Sequence, residues 1–283
     1  VDKEGTDAMK QIQLNGIMIG GGAPFVLIAG PCVIEEEQRT TEIAVFLKEL
    51  TERLHIPLIF KASYDKANRT SVHSYRGPGM KKGLQILENI SEKLSVPILT
   101  DVHRFEEIRP VSEVADILQV PAFLCRQTDF VMEVGRLARV INIKKGQFLA
   151  PGDVRNIIDK VRAVKNENII ITERGTCFGY NNLVADFRAI PVMRTMGHPV
   201  IFDATHSVQL PGGQGAVSGG QREMVAYLAR AAVAVGIDGL FMEVHPDPDA
   251  ALCDGPNSLD LNRLEDMLQI LMKIDAMVKN LKE

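Results

Sequence analysis

"VIFDATH", residues 200–206, is a short apolar run that closes on an acid, a hydroxyl and an imidazole. Its first half reads as a strand buried on both faces, because it is continuously apolar rather than alternating. Seven further runs of this kind lie along the chain: "FVLIAGPC" (25–32), "LIFKAS" (58–63), "ILTDVH" (98–103), "DILQVPA" (116–122), "VINIKKG" (140–146), "IIITERG" (169–175) and "GLFMEVH" (239–245). Between them sit segments such as "TTEIAVFLKELTERL", "GMKKGLQILENISEKL", "DVRNIIDKVRAV" and "REMVAYLARAAVAV", whose apolar residues recur every three or four positions, as on one face of a helix. A last helical stretch, "LNRLEDMLQILMKIDAMVKNLK", follows the eighth run. Buried strands alternating with helices specify a parallel sheet covered by helices, and this number of units in about 250 residues is the size of a closed (β/α)8, or TIM, barrel. An open doubly wound sheet is the alternative. Ahead of the first run, "KQIQLNGIMIGGGAP" alternates weakly and carries a "GGG" turn, which predicts a β-hairpin over the N-terminal mouth of the barrel.

The bulk numbers agree with one large α/β domain. The chain has 283 residues, 46% of them hydrophobic, enough for a sizeable core. No linker or composition shift marks a second domain, so residues 9–283 read as a single catalytic unit, and residues 1–8 as a polar extension or appended remnant. A net charge of -4 gives no general reason to bind nucleic acid or an anionic membrane, and 5% aromatics with no Trp leaves little for base stacking. No apolar run approaches the roughly 20 residues of a membrane span, and the first residues lack the apolar core of a signal peptide, so a cytoplasmic protein is expected. The four cysteines, Cys32, Cys125, Cys177 and Cys253, are widely scattered, which does not suggest a disulfide framework.

Each run ends in polar chemistry: Cys32, Lys61, Asp101 with His103, Gln119, Lys144 with Lys145, Glu173 with Arg174, Asp203 with His206, and Glu243 with His245. In a barrel these C-terminal ends converge on one face, where such enzymes carry their sites. The cations are the first informative subset. Lys61, Lys66 and Arg69, with the hydroxyls of Thr70 and Ser71, follow the second run, and Lys144, Lys145 and Arg174 follow later ones. Arg grips phosphate as a fork and Lys as a point charge, so this clustering in an acidic protein points to an anionic substrate, and two phosphates fit better than one. There is no Walker motif and no GxGxxG after the first run, so no nucleotide cofactor is expected. A thiol, an imidazole and two carboxylates, Cys32, His206, Glu243 and Asp254, form the second subset. Such donors suit a borderline divalent ion, Zn, Fe, Mn or Co, better than Ca or Mg, although no CxxC or HExxH supports the assignment and Cys32 can equally be a buried structural residue.

The stretches "AGPCVIE", "FKASYDKANRTSVHSYRGPG", "TDVH", "LQVPAFLCRQTD", "INIKKGQF", "RGTCFGYNNLVAD", "VIFDATHSVQ", "EVHPDPDAALCDGP" and "LDLNRLEDML" together resemble the 3-deoxy-D-manno-octulosonate 8-phosphate synthases. The resemblance runs from about Met9 to the end and keeps the motifs in order. It implies a (β/α)8 barrel with an N-terminal hairpin, a homotetramer, and condensation of phosphoenolpyruvate with arabinose 5-phosphate on the route to the inner sugar of lipopolysaccharide. By motif it implies that Lys66, Lys144 and Arg174 hold phosphoenolpyruvate, helped by the backbone of Ala122. Asn68, Arg69 and Thr70 would hold arabinose 5-phosphate, with Arg69 and the hydroxyl reaching the phosphate of a neighbouring subunit. Asp101 and His103 would face the reacting centre, and Lys61, Ser63 and Gln119 would line the same mouth. Members divide into a metal-dependent class and one with Asn in place of the metal-binding Cys; Cys32, with His206, Glu243 and Asp254, resembles the first. Two departures stand out: Cys253 beside Asp254 is more like the metal-free class, and Thr70 stands where Ser is common.

In the implied reaction, C3 of phosphoenolpyruvate attacks the sugar aldehyde, water adds at C2, and phosphate leaves by C–O rupture. Two dianions must be held close together, an aldehyde oxygen polarised and a water positioned. Lys66 or His103 would move the proton, with Asp101 beside them and His206 holding the metal that orients the water or the aldehyde. The glycine-rich "PGGQGAVSGG" (211–220) would be a mobile lid, or else only a flexible surface loop. The nearest alternative is the related synthase acting on erythrose 4-phosphate, 3-deoxy-D-arabino-heptulosonate 7-phosphate synthase, which usually has "KPRTS" where this chain has "KANRTS"; Asn68 favours the pentose. A non-catalytic sugar-phosphate sensor is the other alternative, and it predicts the loss of a reactive residue among Lys66, Asn68, Arg69, Lys144 and Arg174, none of which is missing.

Overall fold

A computed structural model describes residues 9–214 and 217–281. The polar residues 1–8 and the lid positions 215–216 lie outside the described residues, as do the side chains of 213–218. Two short strands come first, β1 (Ile12–Leu14) and β2 (Ile17–Ile19), paired antiparallel. They form the expected hairpin, but its turn is Asn15–Gly16 rather than "GGG". Both turn residues have positive φ, 46° and 82°, the left-handed pair that a two-residue hairpin matching strand twist requires. Gly20–Gly22 instead follow β2 and carry the chain into the barrel.

The barrel strands are β3 (Val26–Gly30), β4 (Leu58–Lys61), β5 (Ile98–Asp101), β6 (Ile117–Val120), β7 (Val140–Lys144) and β8 (Ile169–Glu173). After a small antiparallel pair, β9 (Thr176–Cys177) and β10 (Leu183–Val184), come β11 (Val200–Asp203), a second antiparallel pair β12 (Gln209–Gln214) and β13 (Val217–Gly220), and β14 (Gly239–His245). Parallel pairing runs from β3 through β8 to β11, and β11–β14 with β14–β3 closes the ring. A two-residue strand, β15 (Leu259–Asp260), adds to the far end of β14. The helices are α1 (Glu37–Leu54), α2 (Met80–Leu94), α3 (Phe105–Val114), α4 (Thr128–Leu137), α5 (Val154–Ala163), α6 (Ala189–Arg194), α7 (Val225–Val235) and α8 (Leu264–Lys279). The protein is therefore a (β/α)8 barrel and not an open sheet. Among the described residues no helix is long and apolar enough to cross a membrane.

Side chains alternate across a strand, and that parity builds the site. Leu27, Ala29, Leu58, Phe60 and Ile98 point outward and pack with the helices. Val26, Ile28, Ile59, Leu99, Ile117, Val140, Ile170, Ile201 and Phe241 point inward and form a separate apolar layer, closed from below by Ile12, Leu14 and Ile19 of the hairpin. Two residues further along the same inner faces, the side chains turn polar: Lys61, Asp101, Gln119, Asn142, Thr172, Asp203 and Glu243, all buried. Asn142 donates to Gln119 at 2.9 Å and accepts from Thr172 at 2.7 Å, so this second layer is internally hydrogen-bonded.

Gly30 lets β3 and β4 approach at the level of that layer. A Cβ there would lie 1.9 Å from the Lys61 carbonyl oxygen and 2.9 Å from its carbon. Because the obstacle is backbone, it cannot swing away. Gly30→Ala is expected to cost about 3 kcal/mol or more, read as a lower midpoint in urea unfolding. An alanine variant as stable as the parent would contradict this close approach.

Candidate functional site

Above the polar layer opens a cavity of about 410 Å³. Its walls come from the loops after β4, β5, β6, β7, β8, β11 and β14, which carry Lys66, Asn68, Arg69 and Thr70, then His103, Ala122, Gln147, Arg174, Gln209, and finally Cys253 and Asp254. Lys61, Asp101, Gln119, Lys144 and His206 reach it from the strand ends. Among the residues expected at the mouth, Ser63 does not line it. It is fully buried under Asp101, to which it donates at 2.5 Å.

Parity also separates two adjacent lysines. Lys144 points inward, donates to Asp203 Oδ2 at 2.5 Å and sits 3.9 Å above the Phe241 ring centre. Burial depresses its ammonium below the usual range, only partly opposed by Asp203 and deepened by Lys61. Lys145 points away from the cavity, donating to the Gly146 and Leu149 carbonyls and to Thr176 and lying 3.5 Å from Glu173. His245 likewise faces Asp247 and Glu35 rather than the cavity.

The guanidiniums end on unmet donors. Arg174 donates to Gln209 at 2.9 Å and to the His206 carbonyl at 3.4 Å, but its buried Nη1 has no partner among the described residues. Arg69 donates to Cys253 Sγ at 2.7 Å, and its buried Nε has none either. Buried polar groups are almost always satisfied, so two unmet guanidinium donors on the walls of one cationic cavity mark places for anionic oxygens. Lys66, 3.8 Å from Glu243, is held protonated: burial pushes its ammonium down, but Cys32, Glu243 and Asp101 raise it well above the usual value.

Beside the cavity the soft and acidic donors fall into two groups that share Asp254, one with His206 and Glu243 and the other with Cys32 and Cys253. His206 and Asp254 line the cavity, and Cys32 and Glu243 lie buried behind them. Cys32 Sγ lies 3.3 Å from Asp254 Oδ2, and His206 Nε2 lies 3.6 Å from both Glu243 Oε2 and Asp254 Oδ2. Bonds of about 2.0–2.3 Å to a tetrahedral ion place its donors about 3.3–3.8 Å apart, which these three separations match, although Cys32 is grouped with Asp254 and Cys253 and not with His206 or Glu243. The outer contacts fit as well. His206 Nδ1 is 2.8 Å from Asp203 Oδ2, the carboxylate partner that typically orients a metal-binding imidazole. Lys61 occupies Glu243 Oε1 at 3.0 Å, whereas buried Glu243 Oε2, facing His206, has no hydrogen bond among the described residues. Burial first, then Cys253, Asp254 and Glu243, push the Cys32 thiol up, whereas, against burial, His206, Lys61 and Lys66 hold the Glu243 carboxylate ionised. Either group of three fits a divalent ion, with Asp254 common to both.

The sequence assigns no role to several contributors, although it places Asp203 among the polar strand ends. Asp203 ties Lys144 to His206 and accepts from Thr205 and the His206 backbone. Cys253 Sγ lies 2.9 Å from Cys32 Sγ, close enough to be a further soft donor. Glu35 accepts from the Leu252 backbone at 2.7 Å and pairs with Arg39, fastening the loop that presents Cys253 and Asp254. Glu35 and Asp203 do stand beside recognised motif residues, but nothing in their spacing reveals what they hold.

Comparison with known proteins agrees with this geometry. The sequence profile described as the DAHP synthetase I family matches residues 6–280. A protein of Desulfosudis oleivorans named 2-dehydro-3-deoxyphosphooctonate aldolase is 64% identical over 264 residues, 93% of this chain and 95% of that one. Proteins of the same name from Geobacter sulfurreducens and Geotalea uraniireducens are each 60% identical, covering 95% and 96% of this chain and 99% and 100% of theirs. With a match spanning nearly its whole length and relatives aligned end to end, the chain belongs to the DAHP synthetase I family.

Proposed function

We infer that this chain is the enzyme that condenses phosphoenolpyruvate with D-arabinose 5-phosphate and water, giving 3-deoxy-D-manno-octulosonate 8-phosphate and phosphate. The observation that carries this reading is the pair of unmet guanidinium donors, on Arg69 and Arg174, in one cavity that also holds Lys61, Lys66 and Lys144. Two phosphorylated substrates need two such grips. The family profile embraces the shorter-sugar reaction too, but the relatives' name describes an eight-carbon acid, which is a three-carbon unit joined to a pentose rather than a tetrose. That supports arabinose 5-phosphate over erythrose 4-phosphate, and a complete set of cavity residues speaks against a non-catalytic sensor.

In this reading Lys144 and Arg174, with Lys66 and the Ala122 backbone, hold phosphoenolpyruvate, and Asn68, Arg69 and Thr70 hold the sugar phosphate. The cations offset the repulsion between two dianions and fix C3 of one near the aldehyde carbon of the other. Lys66, kept charged by its anionic neighbours, and the Asp101–His103 pair are the proton carriers at the aldehyde oxygen. Cys32, His206, Glu243 and Asp254 would hold a divalent ion, Zn, Fe, Mn or Co, with Asp203 orienting His206. Such an ion supplies positive charge that polarises an oxygen and acidifies bound water. β12, which carries Pro211 and Gly212 against the cavity, would form the lid together with its partner β13. A homotetramer, working in the cytoplasm on the way to lipopolysaccharide, completes the reading; Arg69 and Thr70 line the cavity of their own chain, so their grip on the sugar phosphate needs no neighbour.

The test is phosphate release from phosphoenolpyruvate with each aldose phosphate. Release is expected with arabinose 5-phosphate at least about 100-fold faster, as kcat/KM, than with erythrose 4-phosphate, since a site built to bond the longer sugar's hydroxyls is left with unpaired polar groups by the shorter one. Equal or reversed preference would transfer the chain to the alternative reaction.

A further inference from the structure

We propose that Glu107, on α3 and outside the ring of strand-end residues, is a positioning residue that holds the His103 imidazole in line with Asp101 for proton transfer. The proposal rests on the condensation reading for what the proton does, but its geometry stands independently. Glu107 Oε2 accepts the His103 backbone N–H at 2.8 Å and the Tyr64 hydroxyl at 2.8 Å, and lies 3.5 Å from His103 Nδ1. On the opposite edge of the ring, His103 Nε2 is 2.9 Å from Asp101 Oδ2, whose other oxygen is held by Ser63. Tyr64, fully buried, presses edge-on against the imidazole, with centroids 6.1 Å apart and planes at 79°. A carboxylate at each nitrogen and an aromatic edge alongside leave the ring one orientation.

The charges around the ring favour its protonated form. Asp101 faces it from β5 and Glu107 from α3. Asp65 is also close but is neutralised by both nitrogens of its Arg76 fork, while Arg104 lies 3.9 Å from Glu107 and the Lys66 and Lys61 ammoniums act on Asp101. Burial would push the imidazole down, but Asp101 and then Glu107 lift it to about 9. Because its value is raised, the imidazolium is present below that pH and lost above it. Asp65, His103 and Glu107 also have the spacing of a metal triad, but Asp65 is taken up by the Arg76 fork and Glu107 Oε2 by the Tyr64 hydroxyl and the His103 backbone, while His103 Nδ1 has no hydrogen bond among the described residues.

A purely structural Glu107, capping the start of α3, would affect stability alone. Glu107→Gln keeps the size and can still accept from Tyr64, but it removes the charge. In the full-length protein the His103 ring Cε1–H resonance, assigned by its loss in His103→Asn, is expected to titrate near pH 9. In Glu107→Gln it should titrate about one pH unit lower, with Glu107→Asp restoring most of the difference. The alkaline limb of kcat for phosphate release should move down by the same amount, with both KM values within about twofold, since Glu107 does not line the cavity. An unmodified protein whose His103 titrates near the ordinary 6.5 overturns the proposal, and does so even if the variant fails to fold. So does a Glu107→Gln variant with unchanged titration, or with a shifted ring and an unmoved kcat limb. The ring titration needs no substrate, so absence of phosphate release beside a titration near 9 would count against the substrate assignment instead.

Discussion

Lys144→Met should lower kcat/KM for phosphoenolpyruvate by about 10³-fold while leaving a folded barrel, and Lys145→Met should do the reverse. The two lysines are neighbours, but strand parity sends one into the cavity and the other behind it. Lys144 Nζ, 2.5 Å from Asp203 and 3.4 Å from His206 Nδ1, is held among buried groups where a substrate dianion would restore the charge that burial disfavours. Removing a preorganised cation from such a dry site forfeits more than the same contact would yield in water. The fold survives because Asp203 keeps three partners without Lys144: the His206 ring, the His206 backbone and the Thr205 hydroxyl. The cost in stability is therefore that of one charged hydrogen bond, about 2 kcal/mol. Lys145 has no such role, since its ammonium holds the Gly146 and Leu149 carbonyls and neutralises Glu173. Its loss strands that buried carboxylate, which burial already pushes up, so a lower melting temperature with near-normal kcat/KM per folded molecule is expected. Steady-state phosphate release and thermal melts on both variants decide the matter. If Lys145→Met loses activity and Lys144→Met does not, the inward and outward faces of β7 have been assigned the wrong way round.

The same parity explains how much of this protein is legible in its amino-acid order. Eight buried runs separated by helical periods specify the barrel, and the polar residue at the end of each run marks the face where chemistry sits. The runs overreach the strands, however. "IIITERG" and "ILTDVH" continue two residues past Glu173 and Asp101, because the residues after a strand end are still covered by the loops. Counting by two from the apolar inner layer would have picked out Lys61, Asp101, Gln119, Asn142, Lys144, Asp203 and Glu243 without any homologue. The hairpin turn lies at Asn15–Gly16 and not at the three glycines for a local reason: Asn-Gly is the pair whose left-handed geometry suits a two-residue turn. Ser63, Glu35 and Glu107 show where pattern reading stops. Ser63 and Glu35 act by hydrogen bonds to groups they could touch only once the chain had folded, and although Glu107 lies four residues from His103, its second hold, on Tyr64, is equally invisible in composition and spacing.

The largest loss is expected from Cys32→Ala, which should abolish binding of zinc or manganese at stoichiometric concentration and reduce turnover by at least about 10³-fold, whereas the parent loses activity to a chelator and regains it with metal. Cys32 is the right residue to remove because its side chain carries no structural ion pair. Glu243, by contrast, neutralises Lys61 at 3.0 Å inside the barrel, and deleting it would leave a buried ammonium at a cost of about 3–5 kcal/mol, confusing metal loss with unfolding. The thiol lies among Asp254, Glu243 and Cys253, negative or potentially negative groups that a divalent cation would relieve. Cys253, 2.9 Å away, sharpens the design. If it takes over as the soft donor, Cys32→Ala will keep part of its metal and Cys32→Ala/Cys253→Ala will not, a difference visible as thiolate-to-cobalt charge-transfer absorption with cobalt as the probe. Metal content by elemental analysis, measured alongside activity on the same samples, separates these outcomes. Full turnover by metal-free Cys32→Ala or Cys32→Asn would mean that His206, Glu243 and Asp254 serve only to hold Lys61, Lys66 and Asp203 in place, and that the condensation proceeds on the cations of the cavity alone.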